Sequence, residues 1–228
     1  YEIPNINVDY KSANTNIPIG WWRSVYDSQN AYANECFVDE LAQALNVDTV
    51  QYRLQLLKKS PRHTEVLQLA AEEAGWGTAI EKDHYQGVSC HASFGTYVAE
   101  VAEVSVDDEG VVHVHRVVCA VDCGQAVSPT TIKAQMEGAI VYGLSATLNG
   151  EITIEDGTVK QTNFHEFEVL RMDQMPKIDV HIINSSEAPS GVGEPGLPPI
   201  APAVANAVFA ATGIRVRKLP LKPEDLRS

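Results

Sequence analysis

In the run SGVGEPGLPPIAPAVANAV, from Ser190 to Val208, a single carboxylate, Glu194, sits between Gly193 and Pro195. Pro195, Pro198, Pro199 and Pro202 stiffen this loop by fixing φ, and an apolar helical pattern follows it. A general base must be held within hydrogen-bond reach of the proton it takes, and a loop of fixed dihedrals does that better than a loose one. The same residue has a plainer use, because a carboxylate just before a helix is favoured by the positive end of the helix dipole. Gly191, Gly193 and Gly196 spell G-x-G-x-x-G, yet the nearby prolines and a glutamate where a phosphate would approach argue against a dinucleotide loop.

Other reactive side chains are less suggestive. His113 and His115 share one side of a strand pattern, a possible metal-ligand spacing, but neither an acid nor a cysteine completes the set nearby. Cys119 and Cys123 are four apart on that strand, about 13 Å at 3.3 Å per residue, too far to bond directly. With Cys36 and Cys90, they are expected to be free buried thiols.

Elements must bring these residues together, and the composition permits it. The 228 residues are 44% hydrophobic and 21% charged, which suits an ordinary globular core. A net charge of −13 repels phosphate backbones and anionic lipid, so nucleic acid is excluded as an expected partner. No apolar run approaches the roughly 20 residues of a membrane span. The first residues carry neither a signal pattern nor a starting Met, so the chain reads as a piece of a longer protein.

Residues 1–22 read as an extended opening segment with room for one strand. Three helices are then predicted: one from Ser28 as N-cap through Leu45, one capped by Asp48, and one begun by Ser60-Pro61 and stopped at Gly75. From Phe94 the period becomes two, TYVAEVAEVSVD, a turn at DDEG, then VVHVHRVVCAVDC, a long antiparallel hairpin. Ser128-Pro129 opens a fourth helix whose small residues Gly138, Ala139, Gly143 and Ala146 allow close approach of a neighbouring backbone. A second hairpin turning at Asp156-Gly157, an edge-like strand KIDVHIIN and a last helix ending at Gly213 complete the chain. Helices and antiparallel strands without regular βαβ alternation make the fold class α+β.

Several segments, in order, carry a resemblance. RSVYDSQNAYANECFVDELA, VDCGQAVSPTTIKAQMEGAIVYGLS and the Gly-x-Gly-Glu-Pro loop resemble the C-terminal part of molybdenum hydroxylase large subunits, the xanthine dehydrogenase and aldehyde oxidase class. The wording of PRHTEVLQLAAEEAGWG, HASFGTYVAEVAEV and NFHEFEVLRMDQMP is similar to the isoquinoline 1-oxidoreductase beta-subunit type. The pattern makes residues 1–77 a strand entry and helical subregion, and the resemblance implies that 78–228 is a molybdopterin-binding α+β domain carrying the Gly-Glu-Pro loop. It implies Glu194 as catalytic base, Gln135 as the glutamine that touches the pterin, and Arg23, with Gly193, in the cofactor loops. Without it, Gln135 could cap a strand edge, and Arg23 could stack on Trp21 and Trp22. His165 and Glu166 are expected to border the substrate funnel.

What the family implies beyond this is hydroxylation of an aldehyde or N-heteroaromatic ring with water as the oxygen source. Its cofactor would be molybdenum-molybdopterin, and its electrons would leave to iron–sulfur clusters in a small partner subunit. Two of the family's cofactor loops, Gly-Phe-Gly and Gly-Gln-Gly, are absent, so the chain is expected to hold half of the cofactor site and to need the remainder of the large subunit. The alternative is a non-catalytic assembly module whose Gly-Glu-Pro loop is only structural.

Overall fold

The computed structural model describes residues 1–13 and 15–227. Its centre is a four-stranded sheet in the order β1-β2-β3-β6, where β1 is Tyr85–Ser93, β2 Thr96–Val106, β3 Val112–Asp122 and β6 Lys177–Ile182. The predicted long hairpin is β2 and β3, antiparallel from Tyr97 opposite Asp122 to Val106 opposite Val112, with a register shift at Glu103/Val104. β6 is the predicted edge strand, but it runs parallel to β3. That parallel pairing needs a crossover, which α4 (Pro129–Leu148) and the segment after it supply. Within that segment the hairpin at Asp156-Gly157 forms with two residues per strand, β4 (Ile154–Glu155) and β5 (Thr158–Val159), all exposed.

One strand escapes the sequence reading. β1 precedes Phe94 and joins β2 through Phe94-Gly95, both at positive φ (53° and 80°), the two-residue geometry that matches strand twist. Its sequence YQGVSCHAS lacks a clean alternation because both of its faces are partly covered. Gly87 has a packing reason: a Cβ there would run into the backbone of Ala203 and Ala207 on the helix above.

That helix is α5 (Ile200–Thr212), which with α4 covers one face of the sheet. Met136, Ile140 and Leu144 of α4 and Ile200, Ala203, Val204 and Ala207 of α5 pack there on Val98, Ala102, Cys119 and Val121. Gly143 is where α4 and α5 approach, its missing Cβ being occupied by Ile200, whereas Gly138 faces open space and serves no such approach. The other face meets α3 (Pro61–Glu73), whose Val66, Leu67 and Ala70 join Val88, Val101 and Val118. α3, from residues 1–77, thus buries its apolar side on strands of residues 78–228.

The predicted caps form in part. α2 (Thr49–Leu56) is capped as predicted, Asp48 accepting from the Gln51 N–H at 2.9 Å. Ser60 and Ser128 turn instead to the side chains of His63 and Thr131, both at 2.8 Å. α1 (Tyr26–Ala44) begins before Ser28, whose hydroxyl donates back to the Val25 carbonyl at 2.9 Å. Its start is set by Ser24 and Val25, held at φ 68° and 43° by contacts described below. No strand forms within residues 1–13 and 15–22.

Candidate functional site

The chain between β6 and α5 crosses the ends of β2 and β3 and is pinned there. Ser190 N–H donates to the Cys123 carbonyl at 2.9 Å, and the Thr96 hydroxyl lies 2.7 Å from both the Ser190 hydroxyl and the Gly191 carbonyl. The strand end beneath is itself fixed. Asp122, 1% exposed, takes Arg62 in a two-point ion pair at 2.5 and 2.8 Å and accepts the Gly124 N–H at 2.9 Å. The Arg62 guanidinium first, and the Gly124 N–H after it, hold the Asp122 carboxyl below the usual carboxylate range.

From this anchor the loop carries Gly193 and Glu194 to meet residues far away in sequence. Arg23 donates from Nε to the Gly193 carbonyl at 2.9 Å, and its Nη2 reaches that carbonyl as well as Gln135 Oε1, the latter at 3.3 Å. Ser24 N–H donates to Glu194 Oε1 at 2.9 Å, and its hydroxyl donates to the Glu194 carbonyl at 2.8 Å. The Leu197 N–H donates to the same carbonyl at 3.0 Å. Arg23, Gln135, Gly193 and Glu194 therefore form one contiguous group drawn from three separated segments.

Ser24, Thr96 and Tyr142 have no distinguishing pattern in the sequence. Tyr142, beyond Gln135 on α4, places its ring 5.9 Å from the Arg23 guanidinium carbon and 5.2 Å from the Trp22 ring. Arg23 thus does make a cation–π contact, with Tyr142, while Trp21 is 96% exposed and touches neither. Beside this wall lies an apolar cavity of about 610 Å³, lined by Trp22, Tyr142, Gly138, Phe167, Val169 and Leu170 among others. His165 and Glu166 stand just before that lining, in an exposed turn where Glu166 accepts from the Thr162 and Asn163 N–H groups.

The remaining candidates are occupied elsewhere. His113 pairs with Asp107 at 3.1 Å, while His115 bonds Ser105 at 2.7 Å and stacks on His84 at 4.0 Å between centroids. All four cysteines are free and buried, and burial pushes Cys36 and Cys90 up to about 12, which leaves them as inert thiols at neutral pH.

Comparison with known proteins names the fold. The profile of the molybdopterin cofactor-binding domain matches residues 28–176, more than half of the chain. The chain belongs to this molybdopterin-binding family. It is 36% identical over 228 residues to the beta subunit of isoquinoline 1-oxidoreductase from Brevundimonas diminuta, covering 98% of this chain and 29% of that protein. The matching subunit of nicotinate dehydrogenase from Pseudomonas putida is 33% identical over 247 residues, covering 100% of this chain and 21% of that protein. The molybdopterin-binding chain thus spans less than a third of these relatives. Among solved structures, the aldehyde oxidoreductase of Desulfovibrio desulfuricans shares its fold, with TM-score 0.73 and 14% identity over 91% of this chain and 41% of that one.

The residues present suit such a cofactor. Gln135 is exposed, and with its oxygen engaged by Arg23 its amide nitrogen has no protein partner among the described residues. A Cβ on Gly193 would meet nothing within 4 Å, so the floor beside Arg23 is open to a bulky group. A guanidinium and a free amide over an open backbone match the acceptor-rich edges and phosphate of a pterin cofactor.

Proposed function

We propose that this chain supplies the Glu194 side of the active site of a molybdopterin-dependent oxidoreductase. It would oxidise aldehydes or N-heteroaromatic rings with water as the oxygen source, paired with an iron–sulfur subunit that takes the electrons. The convergence of Arg23, Gln135, Gly193 and Glu194 carries this reading, since nothing in their separation along the chain requires them to meet. The similarity to isoquinoline 1-oxidoreductase and nicotinate dehydrogenase supports the substrate class.

When bound, the molybdenum centre supplies the two-electron oxidation and the activation of water. Arg23 and Gln135 would hold the pterin portion from one side, over the open floor at Gly193. Glu194 is half-buried and offers a carboxylate with one oxygen, Oε1, committed to the Ser24 N–H. Its other oxygen is the one available to accept a proton during turnover, a step for which general-base help contributes about 10² to 10⁴-fold. The apolar cavity beside Trp22 and Tyr142 would receive a flat ring.

The test is Glu194→Gln in the complete, cofactor-loaded enzyme. The amide keeps the shape and the Ser24 contact but cannot take a proton, so turnover falls by at least about 10²-fold with molybdenum content and melting temperature near wild type. Turnover within a few-fold of wild type at full cofactor occupancy would refute the assignment of Glu194 as base.

A further inference from the structure

Ser24 is fully buried at 0% exposure and holds φ at 68°, followed by Val25 at 43°, two successive non-glycine residues at positive φ. Such a pair is disfavoured for residues bearing a Cβ and persists only where surrounding contacts over-determine it. Here the contacts are specific. The turned backbone presents the Ser24 N–H to Glu194 Oε1 at 2.9 Å, and the hydroxyl reaches the Glu194 carbonyl at 2.8 Å. One residue therefore grips Glu194 at its side chain and at its main chain together. The same turn is fixed on its other side, the Val25 N–H donating to the Trp22 carbonyl and the Asp27 N–H to the Ser24 carbonyl, both at 2.9 Å. Arg23, next in sequence, holds Gly193.

We propose that Ser24 is a positioning residue for Glu194, and that the strained turn at Ser24-Val25 is retained because it aims the Ser24 N–H at that carboxylate. Holding Oε1 fixes the plane of the carboxylate and directs Oε2 outward, and holding the carbonyl restrains rotation of the Glu194-Pro195 peptide. This inference rests on the proposed role of Glu194 and extends it to a residue that acts through Glu194.

Strain and positioning make opposite demands on glycine at this site. Ser24→Gly removes the Cβ that makes φ 68° unfavourable, keeps the N–H, and deletes the hydroxyl grip. If Ser24 were only a structural residue, turnover would follow stability. If it positions Glu194, the two separate.

The experiment compares wild type, Ser24→Gly and Ser24→Ala in the complete, cofactor-loaded enzyme. It measures kcat, KM, molybdenum content and melting temperature, together with hydrogen exchange of the amides from Gly193 to Leu197. The expected result for Ser24→Gly is a melting temperature at or above wild type, unchanged molybdenum, KM within about threefold and kcat lower by about tenfold, the worth of one lost hydrogen bond. Exchange of the Leu197 amide, which donates to the carbonyl that Ser24 holds, should accelerate while α5 from Ala203 onward keeps its protection. Ser24→Ala should lose kcat equally and also lose melting temperature, because it deletes the hydroxyl bond without the strain relief that glycine brings. Wild-type kcat and unchanged loop exchange in Ser24→Gly would overturn the proposal, as would a kcat loss that tracks loss of molybdenum. Glu194→Gln separates the two ideas. If it stays active, the base assignment fails and loop exchange alone decides the grip; if it is inactive while Ser24→Gly matches wild type in both readouts, the grip is what fails.

Discussion

Glu100 lies in the middle of β2 and is 0% exposed, and neither carboxylate oxygen has a hydrogen-bond partner. Across the sheet it faces Ser89 on one side and Cys119 on the other. The Ser89 hydroxyl is given to the Pro199 carbonyl, which leaves a thiol, a weak donor, as the polar group opposite. Desolvation raises the Glu100 carboxyl well above its ordinary value, so the fold favours its neutral form. Replacing it with Met, of similar length and apolar, removes an unsatisfied buried acid and stabilises the fold by about 1–3 kcal/mol at acidic pH. The gain grows with pH. A raised folded-state pKa means that stability is fully present below the unfolded carboxyl value of about 4.3 and is lost as pH rises towards the folded value, at about 1.4 kcal/mol per pH unit. Glu100→Gln cannot ionise but keeps a buried polar group, so it should lose the slope without gaining the full stabilisation. Denaturant unfolding of the three proteins at about pH 5 and about pH 8 measures both effects. A Met variant less stable than wild type, or a difference that does not widen with pH, would show that Glu100 has a partner or is ionised in the fold.

At the strand end, Asp122→Asn removes the charge that Arg62 grips and should cost about 1–3 kcal/mol at neutral pH. Because the Asp122 carboxyl is held low, that stability exists above its unfolded value of about 3.9 and is lost as pH falls through the folded value, so wild type and variant should converge in acid unfolding. Gly87→Ala places a Cβ against the α5 backbone and should destabilise by about 3 kcal/mol, the upper range for overpacking, read by chemical denaturation. An unchanged midpoint would mean that α5 sits farther from β1 than described.

Much is legible in local pattern. The runs of β2 and β3 are legible because both of their faces are largely apolar, one against α4 and α5 and the other against α3. Asp48 as a cap, the turn at Asp156-Gly157 and the stop at Gly213 are likewise satisfied within a few residues of themselves. Glu194 can be singled out because prolines on one side and glycine on the other are unusual company for a carboxylate, and its family segment is contiguous.

Tertiary structure decides the rest, wherever a residue's state depends on a partner distant in sequence. β1 is hidden in the sequence because Gly87 serves the α5 backbone more than its own strand, and α1 starts at Tyr26 because Ser24 and Val25 are bent to reach Glu194, 170 residues away. The parallel pairing of β6, the burial of Glu100 without a partner and the meeting of Arg23 with Gln135 and Gly193 have the same origin. Sequence periodicity reports which side of an element is buried, while which side chains share that space is set by how the elements pack.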